Sequence, residues 1–312
     1  MCLKFLFTAL IQNYIMYDVV IIGSGPNGLS AGIFLAQKGL KVLILEAAAT
    51  VGGGTRTAEL TLPDFHHDVC SAVHPMGVLS PYFQKLNLAQ YGLEWVYPKV
   101  SVAHPLDGEE AVILSKSVEE TANNLGVDAK RYKRMMAPIA KHIDWLLEDS
   151  LKPLGIPKNP FSLTKFGMKA AWPVSTFAKL FFKEKRAKAL FAGCAGHSVL
   201  PFDKFFTTAL SLVFLACGHT VDWPVAKGGS QSVANALLKC FQAAGGEIQY
   251  SKRISDFKEL PTAKAYLFDT DPLQVATIAE TELPKSYVKR LRKYNYGTVS
   301  YTHLTLPTIL LV

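Results

Sequence analysis

The most regular hydrophobic pattern of the chain lies near its amino terminus. An apolar run over 19–22 predicts a fully buried parallel strand. After a glycine-containing turn, apolar residues at helical spacing predict a helix that ends at Gly39. A second apolar run, 41–45, predicts another buried strand, and Glu46 ends it. A strand, a turn, a helix and a second strand in this order are typical of a dinucleotide-binding βαβ unit.

The middle of the chain follows a different pattern. Asp107 and Gly108 predict a hairpin turn between two short strands. Ser117, with Glu120 three residues later, predicts the capped start of a helix. Residues 128–214 are mainly helical by the spacing of their apolar positions. Two strongly apolar helices in this region are expected to form the walls of a pocket, 187–196 and 205–216.

The last part of the chain returns to an α/β pattern, with a helix over 231–243, a strand from 247 and a strand that ends in Asp-Thr-Asp-Pro at 269–272. The predicted fold class is α/β. A Rossmann-like domain, a parallel sheet with helices, receives an inserted mixed α+β, mainly helical substrate or cap domain. The predicted boundaries are 1–15 for an extension, 16–100 and 225–298 for the two parts of the Rossmann-like domain, 101–224 for the cap and 299–312 for a tail.

Composition and charge narrow the class of protein. No apolar run of the 312-residue chain reaches the length that a membrane-spanning helix needs. The five cysteines are scattered without metal-binding spacing, which indicates reduced thiols in a cytoplasmic protein without a metal site. Lysines and aromatic residues alternate in 158–188. This segment is predicted to be either a solvated basic face or a peripheral contact with an anionic membrane, and no motif supports nucleic-acid binding.

The turn after the first strand has the glycine spacing of a diphosphate-binding loop. Gly23 permits the tight turn, Gly25 lets a diphosphate approach the backbone, and Gly28 lets the helix pack closely on the strand. The helix amino terminus then offers free N–H groups to an anion. Glu46 is suited to both ribose hydroxyls and would repel a 2′-phosphate by about 1 to 4 kcal/mol. NADP is therefore disfavoured, and FAD or NAD remain.

A second glycine cluster, 52–57, follows the acidic residue and offers more backbone to the same diphosphate, with Arg56 available to neutralise it. This pairing resembles the FAD-dependent amine oxidase and phytoene desaturase superfamily. The segment 65–76 looks like the phytoene dehydrogenase-like NAD(P)/FAD-dependent oxidoreductases, a branch that also contains pyridine nucleotide-disulphide oxidoreductase domain proteins. The resemblance runs from Tyr17 to about Gly297.

The resemblance implies an FAD-binding domain and FAD as the cofactor. The candidate cofactor-binding residues are Gly23, Ser24, Gly25, Pro26, Asn27, Gly28, Glu46, Ala47, Gly53, Gly54, Thr55 and Arg56. Ser71 and His74 are candidates near the flavin ring, without an assigned catalytic role, and Gly228 and Gly229 form the expected substrate-side loop.

The implied function is an oxidoreductase that takes a hydride from a C–C or C–N bond of an apolar or amine substrate. Two alternatives stay open. Rab GDP-dissociation inhibitors share the architecture of the superfamily but act as lipid-binding chaperones without redox chemistry. A plain NAD-binding dehydrogenase is the other alternative, although it would not need the second glycine cluster.

Both ends of the chain are expected to lie outside the natural domain. Residues 1–15 read as an upstream extension, since they run into the first strand without a signal-peptide cleavage site. Residues 299–308 look like a translated sequencing-library adapter. The chain is therefore expected to be a C-terminally truncated fragment that is inactive alone.

Overall fold

The computed structural model describes residues 16–152 and 155–296 of the 312-residue chain. The predictions for 1–15 and 299–312 lie outside these residues. The strands of the described part are β1 (Tyr17–Ile22), β2 (Val42–Leu45), β3 (Thr57–Glu59), β4 (His66–Asp68), β5 (Trp95–Val96), β6 (Val102–Leu106), β7 (Glu109–Leu114), β8 (Val225–Ala226), β9 (Glu247–Gln249) and β10 (Ala263–Phe268).

Helices of the described part lie between these strands. They are α1 (Pro26–Ala36), α2 (Pro75–Val78), α3 (Pro81–Leu86), α4 (Val118–Asn123), α5 (Ala129–Lys141), α6 (Ile143–Leu151), α7 (Pro160–Ala170), α8 (Val174–Phe181), α9 (Lys185–Ala195), α10 (Thr207–Val221), α11 (Gln231–Ala243), α12 (Pro272–Ile278) and α13 (Lys285–Leu291). The mixed α/β architecture confirms the predicted fold class.

A four-stranded sheet forms the centre of one half, in the order β10-β1-β2-β9. Every neighbouring pair in it is parallel, so the carboxyl ends of the four strands lie at one edge. Successive side chains of β1 enter different cores: Val19 and Ile21 pack on one face of the sheet, and Val20 and Ile22 on the other. Burial on both faces explains why β1 and β2 read as continuous apolar runs.

The Phe241 side chain of α11 packs against Gly32 of α1 and against Gly246, which precedes β9. An ideal Cβ added to Gly32 of α1 would lie 3.0 Å from the ring, and one added to Gly246 would lie 2.0 Å from it. The ring is fully buried. The absence of a side chain at both glycines therefore lets α11 approach α1 and lets the chain turn directly into β9.

The other half is a mainly helical cap with a core of its own. Helix α10 lies at its centre and packs against α5, α7 and α9. The prediction that 187–196 and 205–216 form the walls of a pocket is wrong. These segments correspond largely to α9 and α10, and the apolar residues of the two helices are buried against each other in the cap core. An apolar-lined cavity of about 300 Å³ lies instead between α5, α6 and α7.

Two local predictions for the cap are confirmed. Asp107 and Gly108 form the turn of an antiparallel hairpin that joins β6 and β7. The Ser117 hydroxyl caps α4 by accepting the Glu120 N–H at 3.2 Å. Among the described residues, no helix combines the length and the apolar character that a bilayer crossing requires.

We expect Gly246→Ala to lower the free energy of unfolding by about 1 to 3 kcal/mol, because the new methyl group would overlap the buried Phe241 ring. Gly167→Ala is the matched control, since a Cβ at that position of α7 meets nothing within 4 Å. The control is expected to be neutral or more stable by about 0.5 to 1 kcal/mol. Urea denaturation of both variants measures the difference, and equal stability of the two would contradict the Phe241 contact.

Candidate functional site

A cleft of about 440 Å³ opens at the carboxyl edge of the parallel sheet. This is the edge at which open α/β sheets bind ligands. Its lining comes from the ends of β1, β2 and β10, the start of α1 and the second glycine cluster. The polar and glycine residues among its lining are Gly23, Ser24, Gly25, Asn27, Glu46, Gly53, Gly54, Lys252, Arg253, Asp269, Thr270 and Gln274.

The two glycine loops are in direct backbone contact beside this cleft. The Gly52 N–H donates to the Ser24 carbonyl at 3.0 Å. Gly53 has a φ of +52°, and an ideal Cβ added to it would lie 3.1 Å from the Cα of Gly25. A side chain at Gly53 would therefore push the loops apart. The contact brings backbone from both loops to one place, as a diphosphate requires.

Glu46 stands at the end of β2 with its carboxylate directed at the first glycine turn. One carboxylate oxygen, Oε2, accepts from the Ser24 N–H at 2.9 Å and from the Ser24 hydroxyl. The other, Oε1, accepts from the Ala48 N–H at 2.8 Å. Burial and the nearby Glu46 carboxylate raise the pKa of Tyr250 above its ordinary value. The acid thus lies beside the glycine turn, where the sequence predicts it.

Nine of the twelve predicted cofactor residues line the cleft, namely Gly23, Ser24, Gly25, Pro26, Asn27, Glu46, Ala47, Gly53 and Gly54. The other three support it. Gly28 is buried beneath the turn, where an added Cβ would lie 2.5 Å from the Gly23 carbonyl. The Thr55 hydroxyl donates to the Gly52 carbonyl at 2.7 Å, and Arg56 Nε donates to the Gly53 carbonyl at 2.8 Å. Cofactor contacts of these residues stay a prediction.

The sequence reasoning missed five polar residues of the cleft, Lys252, Arg253, Asp269, Thr270 and Gln274. Lys252 and Arg253 follow β9, and Asp269 and Thr270 follow β10. Their position in the sequence could have identified these four residues, because residues that directly follow parallel strands of one sheet meet at the same edge of that sheet. Asp269 even accepts the Gly28 N–H, through Oδ2 at 2.9 Å.

The candidates Ser71 and His74 lie next to the cleft in a buried polar network. The Ser71 N–H donates to the Gly54 carbonyl at 2.9 Å, which ties this segment to the second glycine cluster. The Ser230 hydroxyl gives its single proton to the Ser71 carbonyl, so it accepts from His74 Nε2 at 2.9 Å. Asp68 in turn accepts the Ser230 N–H at 2.7 Å. These bonds give His74 a structural role, and a contact of Ser71 or His74 with a flavin stays a prediction.

The predicted substrate-side loop packs on the same network. Gly228 and Gly229 have φ values of +79° and +89°, which favour glycine. An ideal Cβ on Gly229 would lie 2.4 Å from the Thr57 hydroxyl, so the loop rests directly on β3. The loop starts α11 beside the cleft, and its contact with a substrate stays a prediction.

The groups in the cleft fit an adenine dinucleotide. Two glycine-rich backbones meet at a helix amino terminus, which suits a diphosphate. A carboxylate beside them suits ribose hydroxyls, and Lys252 and Arg253 supply positive charge. Among the described residues, no group of three or more His, Cys, Asp or Glu side chains is arranged to hold a metal ion.

The chain resembles known proteins over parts of its length. The profile of the Thi4 family matches residues 3–63, the stretch that contains the first glycine turn. A limonene dehydrogenase subunit from Castellaniella defragrans is 26% identical to the chain, and the match covers 76% of this chain and 45% of that protein. The chain thus spans less than half the length of this relative.

Solved structures show the same fold. An oxidoreductase from Methanosarcina mazei has a TM-score of 0.59 at 14% identity, over 88% of this chain and 65% of its own. A putrescine oxidase variant has a TM-score of 0.56 at 15% identity, and a cyclohexylamine oxidase from Brevibacterium oxydans has a TM-score of 0.52 at 16% identity. Each of these two matches covers 89% of this chain and 63% of the other chain. At these identities the likenesses show that the described residues share the fold of these proteins.

We expect the free energy of unfolding to fall as the pH is lowered from about 7 to about 5. Burial lowers the pKa of His74 below its ordinary 6.5, and the Asp68 carboxylate offsets this shift only in part. The unfolded chain therefore takes up a proton that folded His74 does not. The stability that neutral, buried His74 contributes is fully present above about pH 6.5. It is lost as the pH falls below that value, at up to about 1.4 kcal/mol per pH unit.

His74→Gln keeps an N–H donor for Ser230 and is expected to make this slope shallower. The other histidines whose pKa is lowered keep their own contributions to the pH dependence, namely His104, His197 and His219. Denaturation at several pH values measures the slope, and His66→Gln on the exposed β4 edge is the control. A slope that His74→Gln leaves unchanged would show that His74 does not resist protonation in the folded protein.

Proposed function

We propose that the chain binds FAD in the cleft at the carboxyl edge of the sheet. We further propose that the whole protein is an FAD-dependent oxidoreductase, phytoene desaturase-like, which takes a hydride from a C–C or C–N bond of an apolar or amine substrate. The observation that carries this proposal is the backbone contact between Gly25 and Gly53 beside the Glu46 carboxylate. A plain NAD-binding site does not need the second loop.

Each group of the cleft has a distinct role in this proposal. The Glu46 carboxylate would exchange its bonds to Ser24 for the two hydroxyls of the adenosine ribose. The N–H of Asn27, in the first turn of α1, and the glycine loops would hold the diphosphate. Arg56 would add positive charge from the second loop. The glycines allow this approach because side chains would occupy the same space.

A bound flavin would supply the hydride acceptor, and the protein would supply orientation and a dry surrounding. The segment with Ser71 and His74 lies between the second glycine loop and the loop at Gly228 and Gly229. We place these residues on the substrate side of the cofactor. Burial keeps His74 neutral near pH 7, so it would position its neighbours and would not act as a cation.

The named relatives support two substrate chemistries. Limonene, which gives its name to the dehydrogenase relative, is a hydrocarbon and therefore apolar. Putrescine and cyclohexylamine, which give theirs to the oxidases, are amines. A C–C bond of an apolar compound and a C–N bond of an amine thus both remain within the proposed class. The lipid-binding chaperone alternative is not favoured, because the named neighbours are oxidoreductases.

We also propose a cytoplasmic protein that touches an anionic membrane peripherally through 158–188 and the adjoining loop. Phe161 and Met168 are seven residues apart on α7, so they share a side, and their exposed fractions are 85% and 62%. The Phe206 N–H donates to the Ala171 carbonyl, which places an exposed phenylalanine at the end of α7. Lys165 and Lys169 lie on the same helix.

Such a mixture of exposed apolar side chains and lysines is typical of helices that lie in a membrane interface. Arg186 does not belong to this surface, since its guanidinium donates to the carbonyls of Asn124 and Glu110. The surface would collect an apolar substrate from the bilayer. We call Phe161, Met168, Lys165 and Lys169 the α7 surface.

Glu46→Gln is expected to weaken FAD binding about tenfold, because it removes the charge that strengthens the bonds to the ribose hydroxyls. Titration calorimetry with FAD and with ADP-ribose measures this. Glu94→Gln, which breaks only the exposed ion pair with Lys227, is the control and should bind as the wild type does. If ADP-ribose binds and FAD does not, the flavin assignment is contradicted. If neither ligand binds, the proposed site is overturned.

Combined Phe161→Ser and Met168→Ser substitution is expected to reduce binding to phosphatidylserine-containing vesicles at least tenfold, because each apolar side chain contributes about 1.5 to 3 kcal/mol when buried. Co-sedimentation with vesicles measures the bound fraction. Leu62→Ser with Phe65→Ser removes exposed apolar residues near the β3–β4 hairpin and serves as the control. Equal loss in both variants, or no wild-type binding, would exclude the α7 surface as a membrane contact.

A further inference from the structure

Asp269 occupies the centre of the first glycine turn although it lies 241 residues after Gly28. Its backbone N–H continues the sheet by donating to the Ile22 carbonyl at 2.8 Å. Its carboxylate accepts the Gly28 N–H through Oδ2 at 2.9 Å. Helix α1 needs this acceptor, because its N-cap residue is Gly25, which has no side chain. Asp269 therefore caps α1 from another strand.

Asp269 lies so close to all three glycines of the turn that a side chain at any of them would overlap it. An ideal Cβ on Gly23 would lie 2.4 Å from the Asp269 carbonyl oxygen. One on Gly25 would lie 2.6 Å from Oδ2 of the carboxylate, and one on Gly28 would lie 2.7 Å from the same atom. The glycine pattern thus makes room for a fixed carboxylate as well as for a ligand.

This arrangement sets a negative charge at the helix terminus that would hold the diphosphate. The charged residues that line the cleft are Glu46, Asp269, Lys252 and Arg253. The formal charges of these four lining residues cancel, and Arg56, whose Nε donates to the Gly53 carbonyl, adds one positive charge from behind the second loop. The Asp269 carboxylate, which lies at the helix terminus itself, repels each added negative charge on a ligand held there.

We propose that Asp269 is a specificity-determining residue that favours dinucleotide diphosphates over free nucleoside diphosphates. The inference rests on the proposed dinucleotide function of the cleft. In a dinucleotide each of the two phosphates has one ester bond and one anhydride bond, and so carries one charge. In ADP the terminal phosphate has the anhydride bond alone and carries about −1.5 to −2 charge. The Asp269 carboxylate penalises this extra charge, so that abundant mononucleotides do not occupy the site.

The test compares ADP-ribose with ADP, because both contain adenosine and a diphosphate and they differ in terminal charge. Asp269→Asn keeps an oxygen acceptor for the Gly28 N–H and removes the negative charge. We expect the preference for ADP-ribose over ADP, measured by titration calorimetry at fixed low salt, to fall about tenfold in this variant. Adenosine, which has no phosphate, should bind the variant and the wild type equally.

Asp271→Asn is the matched control. Asp271 is also an N-cap, for α12, where it accepts the N–H groups of Leu273 and Gln274 at 2.9 and 3.1 Å. Its variant should keep the wild-type preference. Asp269→Ala separates the two roles of Asp269, because it removes the acceptor too and should lower the thermal unfolding temperature more than Asp269→Asn does.

The outcomes separate this inference from the proposed function. If both ligands bind and Asp269→Asn keeps the wild-type preference, Asp269 is only a helix cap and the inference fails while the dinucleotide site stands. If the wild type binds neither ADP-ribose nor FAD, the proposed function fails and the inference fails with it. A preference that collapses in Asp269→Asn alone supports the charge-based selection.

Discussion

The backbone contact between the two glycine loops is the constraint on which the cleft depends. Gly53 approaches the Cα of Gly25 so closely that a methyl group would not fit without displacement, and Gly52 bonds to Ser24. Glu46 is fixed by Ser24 in turn. The fold that carries this cleft is shared with the solved oxidoreductase structures at 14 to 16% identity.

The elements that sequence predicts well here are those whose causes are local. The β1–α1–β2 unit is read from two buried runs and a glycine turn, since periodicity and turn chemistry act over a few residues. The hairpin at Asp107 and Gly108 and the Ser117 cap follow from the same short-range rules. These rules also place Glu46 at the end of a strand, and the parallel pairing then brings it to the cleft.

The features that sequence reasoning missed depend on long-range packing. The contact of Asp269 with Gly28 joins residues 241 positions apart, and that of His74 with Ser230 joins residues 156 positions apart. No spacing rule reaches over such separations. The expected pocket walls in the cap fail for a related reason, because uniform apolarity in a helix does not distinguish a residue that faces a cavity from one that faces another helix.

The bonds around His74 have a mechanical consequence. The chain leaves the sheet half after β5 and returns at β8, and these two strands pair with each other. Next to this pair, His74 bonds to the returning segment twice, through its backbone N–H to the Pro224 carbonyl and through its ring to the Ser230 hydroxyl. Ser230 also bonds to Ser71 and Asp68. A rotation of the cap relative to the sheet half at this point would break several of these hydrogen bonds together.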